Sequence, residues 1–239
     1  MSNGIRFYSA GSLPVIAIII IIGLILIIVP LLFLGLAGAA FTRLGFSWIA
    51  AIAFVLLMIL GSFISIPLGK IRRDTIRLAP SEGVPFDSLV TASPASGVWE
   101  TVVSLNLGGS VIPLALSCYL LFRAYPVVGP ALPVLVGTGI LVVTIVSYVT
   151  TRPLKGYGLR SPFFMPGLTA LLAGLLLSGG TGLSAGVIAF VSGTAGTLLG
   201  ANVAHVRDLR DLDVPEVSIG GTGTFAAIFI SCILATLIA

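Results

Sequence analysis

Charge is what this chain has least of. Of 239 residues only 8% are Asp, Glu, Lys or Arg, and there is one His. Soluble domains carry about 25% charged residues, so an ordinary water-soluble globule is excluded. Cysteine is nearly absent too. Cys118 and Cys232 both lie within apolar runs, where they read as small buried hydrophobes rather than a disulfide or a metal site. A net charge of +4 invites a nucleic-acid reading, but no basic cluster is interleaved with aromatics, so no nucleic-acid partner is expected. What is plentiful is apolar: 57% of residues, before 29 glycines are counted, with a mean hydropathy of +1.20. The class this predicts is an all-α polytopic protein whose partner is the lipid bilayer.

Spanning a bilayer takes about 20 mostly apolar residues in a helix. Seven stretches qualify as candidates: 13–37, 46–68, 108–123, 130–150, 163–178, 184–204 and 222–238. The first resembles a signal peptide in having Arg6 before it and Gly38-Ala39-Ala40 at its end. Its apolar run far exceeds the 7–15 residues of such a segment, so an uncleaved span is expected. Pro30 marks its bend point. The third and fifth are short and are flanked by Gly or Pro. Residues 69–107 form the one sizeable polar insertion, broken by Pro80, Pro85 and Pro94. Alternation in Thr75-Ile76-Arg77-Leu78 and in Trp99-Glu100-Thr101-Val102-Val103 predicts a small cytoplasmic β-hairpin or ribbon between helices 2 and 3. It is too small for a domain of its own, so residues 1–239 read as a single membrane domain.

The scarce charges are sorted by side. With seven spans, one face carries Arg6, Lys70, Arg72, Arg73, Arg77, Arg152, Lys155, Arg160, Arg207 and Arg210, and the other only Arg43 and Arg123. Cytoplasmic loops are enriched in Lys and Arg. The expected placement is therefore the cytoplasmic membrane, with the N-terminus inside and the C-terminus outside. Merging the fifth and sixth spans would move Arg207 and Arg210 to the sparse face, which favours seven. All eight acids (Asp74, Glu82, Asp87, Glu100, Asp208, Asp211, Asp213 and Glu216) fall in cytoplasmic segments, and His205 closes the sixth span. No proton relay, buried carboxylate pair or intramembrane metal cluster is evident, and neither metal nor cofactor is expected.

Small polar motifs remain. Asn106-Leu107-Gly108-Gly109-Ser110 precedes Ile112-Pro113 at span three, and Ser218-Ile219-Gly220-Gly221-Thr222-Gly223-Thr224-Phe225 opens span seven. Such entrances act as broken helices whose freed backbone groups bind a substrate, or they simply let helices pack closely. The first reading makes Asn106, Gly108, Gly109, Gly220, Gly221, Thr222, Gly223 and Thr224 candidate substrate-binding residues. Gly221-Thr222-Gly223 is no dinucleotide fingerprint, because it lacks a third glycine and a βαβ context. Span six carries a stripe of Ala185, Ala189, Gly193, Gly196, Gly200 and Ala204, expected to pack against span seven or three. Its Asn202 is expected to hydrogen-bond a neighbouring helix. The acids and His in 205–216 read better as a solvated helix end, with Arg207 and Asp211 paired four apart, than as a metal loop. Arg152, Lys155, Tyr157 and Arg160 read as an anchor to anionic headgroups.

These motifs also carry a resemblance. Asn106-Leu107-Gly108-Gly109 with Ile112-Pro113 and Leu116-Ser117, then Gly196-Thr197-Leu198-Leu199-Gly200-Ala201, then Ser218 to Phe225 with Ile228-Phe229, stand in the order of a prokaryotic membrane family. From about Val98 to its C-terminus the chain resembles the family called domain of unknown function 1614. The resemblance implies an Asp at each of two positions held here by Asn202 and Ala226. That arrangement is similar to the presenilin-type intramembrane aspartyl proteases, whose Pro-Ala-Leu element has no clear counterpart here. It implies a protease scaffold acting on a membrane-embedded peptide, or receiving a partner helix, with Asn202 and Ala226 at the catalytic positions. This chain would be inactive or disabled, because two carboxylates must share a proton to activate water. Two alternatives stand beside it: a small-solute or ion transporter using the Gly-rich entrances, and a non-catalytic adaptor using the ribbon.

Overall fold

The computed structural model describes residues 12–77, 95–154, 157–208 and 214–239. Seven α-helices occur among them: α1 Ser12–Arg43, α2 Trp48–Gly61, α3 Ile112–Val128, α4 Leu132–Thr150, α5 Met165–Ser178, α6 Leu183–Thr197 and α7 Phe225–Thr236. Their starts follow from local chemistry. Ser47 caps α2 by accepting from the Ala50 N–H, and α3, α4 and α5 each begin with a proline in the first turn, where no N–H is needed. Two π-helical turns extend the set. Leu107–Val111 leads into α3, and Leu198–Val203 continues α6.

Four stretches are long and apolar enough to cross a membrane: 17–43, 107–128, 132–150 and 183–203. The other three helices, α2, α5 and α7, are apolar but have only 14, 14 and 12 residues. At about 1.5 Å per residue each falls short of the roughly 30 Å hydrocarbon thickness.

The apolar surface is turned outward. Ile18 to Ile22 and Leu24 to Val29 on α1 are exposed or nearly so, whereas the far end of α1 docks, with Ala37, Gly38, Phe41 and neighbouring Leu44 buried. Phe41 meets Phe190 edge-on at 5.9 Å. At the centre stands α6, packed by α3, α4, α5 and α7. Its small residues explain that position. A Cβ on Gly193 would press on Ser231 and Ala170, one on Gly196 on Val143, and one on Gly200 on the Thr144 carbonyl. The stripe therefore meets α7 as expected, but also α5 and α4. Ala185 and Ala189 face Gly174 of α5.

Strands make the fold less purely helical than the sequence suggests. Span two does not run to residue 68. Its helix ends at Gly61, and β1 (Ser65–Arg77) starts inside the apolar run. Hydropathy does not distinguish helix from strand, and the Ile64-Ser65-Ile66 alternation follows directly on the Ser62 cap. β1 pairs antiparallel with β2 (Ala95–Asn106), from Ser65 opposite Asn106 to Arg77 opposite Ala95, with a register shift at Pro67/Gly69. Pro80, Pro85 and the other residues of 78–94 lie outside the described residues. The ribbon also gains an unforeseen strand, β5 (Glu216–Ile219), parallel to Val102–Leu105 of β2. The loop 152–160 is itself a two-stranded sheet of β3 (Arg152–Leu154) and β4 (Gly158–Arg160). Cys118, expected to be buried, is exposed on α3, while Cys232 is buried.

The two Gly-rich entrances are packed on one another. A Cβ at Gly109 would strike the Gly220 carbonyl, and one at Gly108 the Met58 carbonyl of α2. Gly109→Ala should therefore destabilise the fold by about 1–3 kcal/mol. Gly137→Ala, with no neighbour in reach on α4, should be neutral or stabilising by up to about 1 kcal/mol. Thermal unfolding of both variants in detergent checks the contrast.

Candidate functional site

The polar groups of the bundle gather where α2, α4 and α6 end and α3, α5 and α7 begin. Asn106 sits at the first of these joints. Its Oδ1 accepts from the Gly109 N–H at 2.8 Å, capping the π turn, and its Nδ2 donates to the Ser62 carbonyl at 2.7 Å. Ser110 Oγ lies 2.6 Å from the Ile219 carbonyl and 2.8 Å from the Asn106 carbonyl. The entrance to α3 is thus tied to the end of α2 and to β5 by side chains that are themselves buried.

Asn202 makes the second joint, in the π turn that closes α6. Its Oδ1 accepts from the Gly220 N–H at 3.3 Å, and the Thr224 hydroxyl lies 3.3 Å from Nδ2 and 3.2 Å from Oδ1. Both Asn202 and Thr224 are buried. Gly220 turns the chain at φ +72° and Gly223 at +104°, conformations that a side chain disfavours. They bend the peptide so that Thr224 reaches Asn202 just before α7 starts. Next door His205 is buried, with Nδ1 3.0 Å from the Gly200 carbonyl and its ring 4.8 Å from that of Tyr148.

Between the joints lies a cleft of about 200 Å³ lined by Ser62, Ser65, Asn106, Glu216, Ser218, Gly221 and Thr222. A second cavity of about 20 Å³, room for a single water, shares Glu216, Ser218 and Thr222 with it and adds Asn202, Thr224, Tyr157 and Leu159. Glu216 is exposed and accepts from Ser104 Oγ at 2.6 Å. A larger groove of about 550 Å³ between α2 and α3 is walled by apolar side chains such as Phe46, Phe54 and Leu116 and offers no chemistry of its own.

Asn106, Gly108, Gly109, Gly220, Gly221, Thr222 and Thr224 therefore come together at one end of the bundle, with Asn202 beside them. Gly223 packs instead against the Leu159 carbonyl of β4. Ala226 is set apart: it is exposed in the first turn of α7 and lines neither polar cavity. The expected Arg207–Asp211 pair lies outside the described residues at Asp211. The sequence reading missed Glu216, Ser62 and Ser65. Glu216 stands two residues before the quoted Ser218 motif, but only the parallel pairing with Val102 brings it to the cleft.

Fold and site together define a bundle of apolar helices, several of membrane-spanning length, fastened by small polar joints at one end. The sequence model of the family described as "Protein of unknown function (DUF1614)" matches residues 59–238, and the chain belongs to that family. No curated protein and no solved structure matches it.

The Asn202–Thr224 joint predicts energetic coupling. Asn202→Ala strands the buried Gly220 N–H and should cost about 1–3 kcal/mol. A double-mutant cycle with Thr224→Val, followed by unfolding in detergent, should return a coupling of about 1 kcal/mol.

Proposed function

We propose that this chain is a multi-pass protein of the cytoplasmic membrane, crossing seven times, which receives a membrane polypeptide in its polar cleft without hydrolysing it. The observation that carries the reading is the buried Asn202–Thr224–Gly220 joint. It lies between the end of α6 and the Gly-rich entrance of α7, where the resemblance to presenilin-type scaffolds implies a pair of acids. Asn202 stands at one of those positions and offers an amide. An amide presents a donor and an acceptor together, so it holds the joint at any pH but exchanges no proton. Among the described residues Glu216 is the one carboxylate lining the two polar cavities. A lone carboxylate beside an amide has no partner with which to share a proton. The hydroxyls and amide around the cleft suit the N–H and C=O groups of an extended peptide instead.

The orientation follows from the charge asymmetry: the cleft and the ribbon face the cytoplasm, and α7 ends outside. Alkaline phosphatase fused after residue 239 should be active, and a fluorescent protein inserted within 78–94 should fluoresce. The reverse pattern discards this topology.

Catalytic competence is tested by restoring the acids. The Asn202→Asp/Ala226→Asp double variant, reconstituted with single-pass substrates, should release no cleavage products, because Ala226 is exposed and lines neither polar cavity, which leaves the two acids without a shared site. Products from a folded double variant would instead reinstate the protease-like scaffold.

A further inference from the structure

A second polar feature lies on the same end of the bundle, outside the cleft. β3 and β4 place Arg152 directly opposite Arg160. Side chains so paired have Cβ atoms about 4.5–5.5 Å apart, and like charges there repel. No described carboxylate lies within ion-pair distance of either arginine. Both line one groove of about 460 Å³, whose remaining wall includes Val149 at the end of α4, Leu154, Pro162 and Met165 at the start of α5. The groove therefore combines two cations with a largely apolar wall. Exposed aromatics stand beside its lining residues in the sequence: Tyr148, Phe163, Phe164 and Tyr157, the last 84% exposed. Such rings concentrate at the headgroup level of a bilayer.

We infer that Arg152 and Arg160 form a binding site for the phosphodiester of an anionic phospholipid, whose acyl chain lies along Val149 and Met165. Guanidinium groups present planar forks that match phosphate oxygens, and a bridging anion removes the repulsion that the strand register imposes. A zwitterionic lipid brings an ammonium group toward the same pair and is disfavoured. A soluble phosphate satisfies the charges but leaves the apolar wall empty. The inference rests on the membrane reading above and extends it from general anchoring to one selective site.

The test uses the full chain purified in mild detergent. Binding of short-chain phosphatidylglycerol, short-chain phosphatidylcholine and inorganic phosphate is followed by native mass spectrometry. The unaltered protein should hold one phosphatidylglycerol at least about tenfold more tightly than either competitor. Arg152→Gln/Arg160→Gln should weaken that binding about thirtyfold, from a roughly fivefold contribution per cation at a membrane surface. Lys70→Gln, which removes a cation already paired with Glu100 at 2.8 Å, should leave it unchanged. Equal binding by the double variant overturns the site, and phosphate binding as tight as the lipid overturns the lipid as its occupant. Carbonate extraction of membranes separates the two levels. An unaltered chain that washes off removes the membrane reading itself, while one that stays but shows no headgroup preference removes only this site.

Discussion

The contact on which the rest depends is backbone against backbone, Gly109 on Gly220. Neither position has space for a Cβ, and the approach lets Ser110 reach the Ile219 carbonyl across the seam. In an apolar surround each polar backbone group needs an internal partner, since an unsatisfied one costs several kcal/mol. The two chain entrances leave helical hydrogen bonding here, and both solve the problem by proximity. The π turn at Leu107–Val111 is capped by Asn106, and the Gly220 amide is taken by Asn202. Once these are set, β5 is delivered alongside β2 and the cleft follows as the space between.

Asn202 then fits its surroundings better than an ionised acid would. A carboxylate at that point would accept from the Gly220 N–H and from Thr224, but it would bring a charge into a buried site. An amide makes the same contacts without a desolvated charge. An amide at residue 202 thus keeps the structural half of such a joint without an ionisable half. Ala226, exposed on the first turn of α7, has no such structural half to keep.

Much of this was legible in the residues. Apolar length located the helices, and Gly and Pro located most of their ends. The motif Asn106 to Ser110 and the motif Ser218 to Phe225 named both sides of the cleft. Three things were not legible. The end of α2 at Gly61 was hidden because Ile64, Ile66 and Leu68 are as apolar in a strand as in a helix. β5 spans four residues, and nothing local announces a parallel partner more than a hundred residues away. The pairing of Arg152 with Arg160 needs the β3–β4 register, which a nine-residue loop leaves open. In each case the missing information was a long-range or register choice, which periodicity does not encode.

Arg43 and Arg123 have structural employment. Arg43 donates to the Leu237 carbonyl at 3.1 Å, closing the end of α7, and Arg123 donates to the Gly45 carbonyl at 2.6 Å, holding the turn between α1 and α2. Carbonyls at helix ends lack intrahelical donors, and a guanidinium satisfies them from a distance that a shorter side chain does not span. At the opposite end Arg152 and Arg160 reach no described carboxylate. Among the described cations, then, Arg43 and Arg123 are spent on the protein's own backbone and Lys70 on Glu100, while the Arg152–Arg160 pair stays open to an external anion.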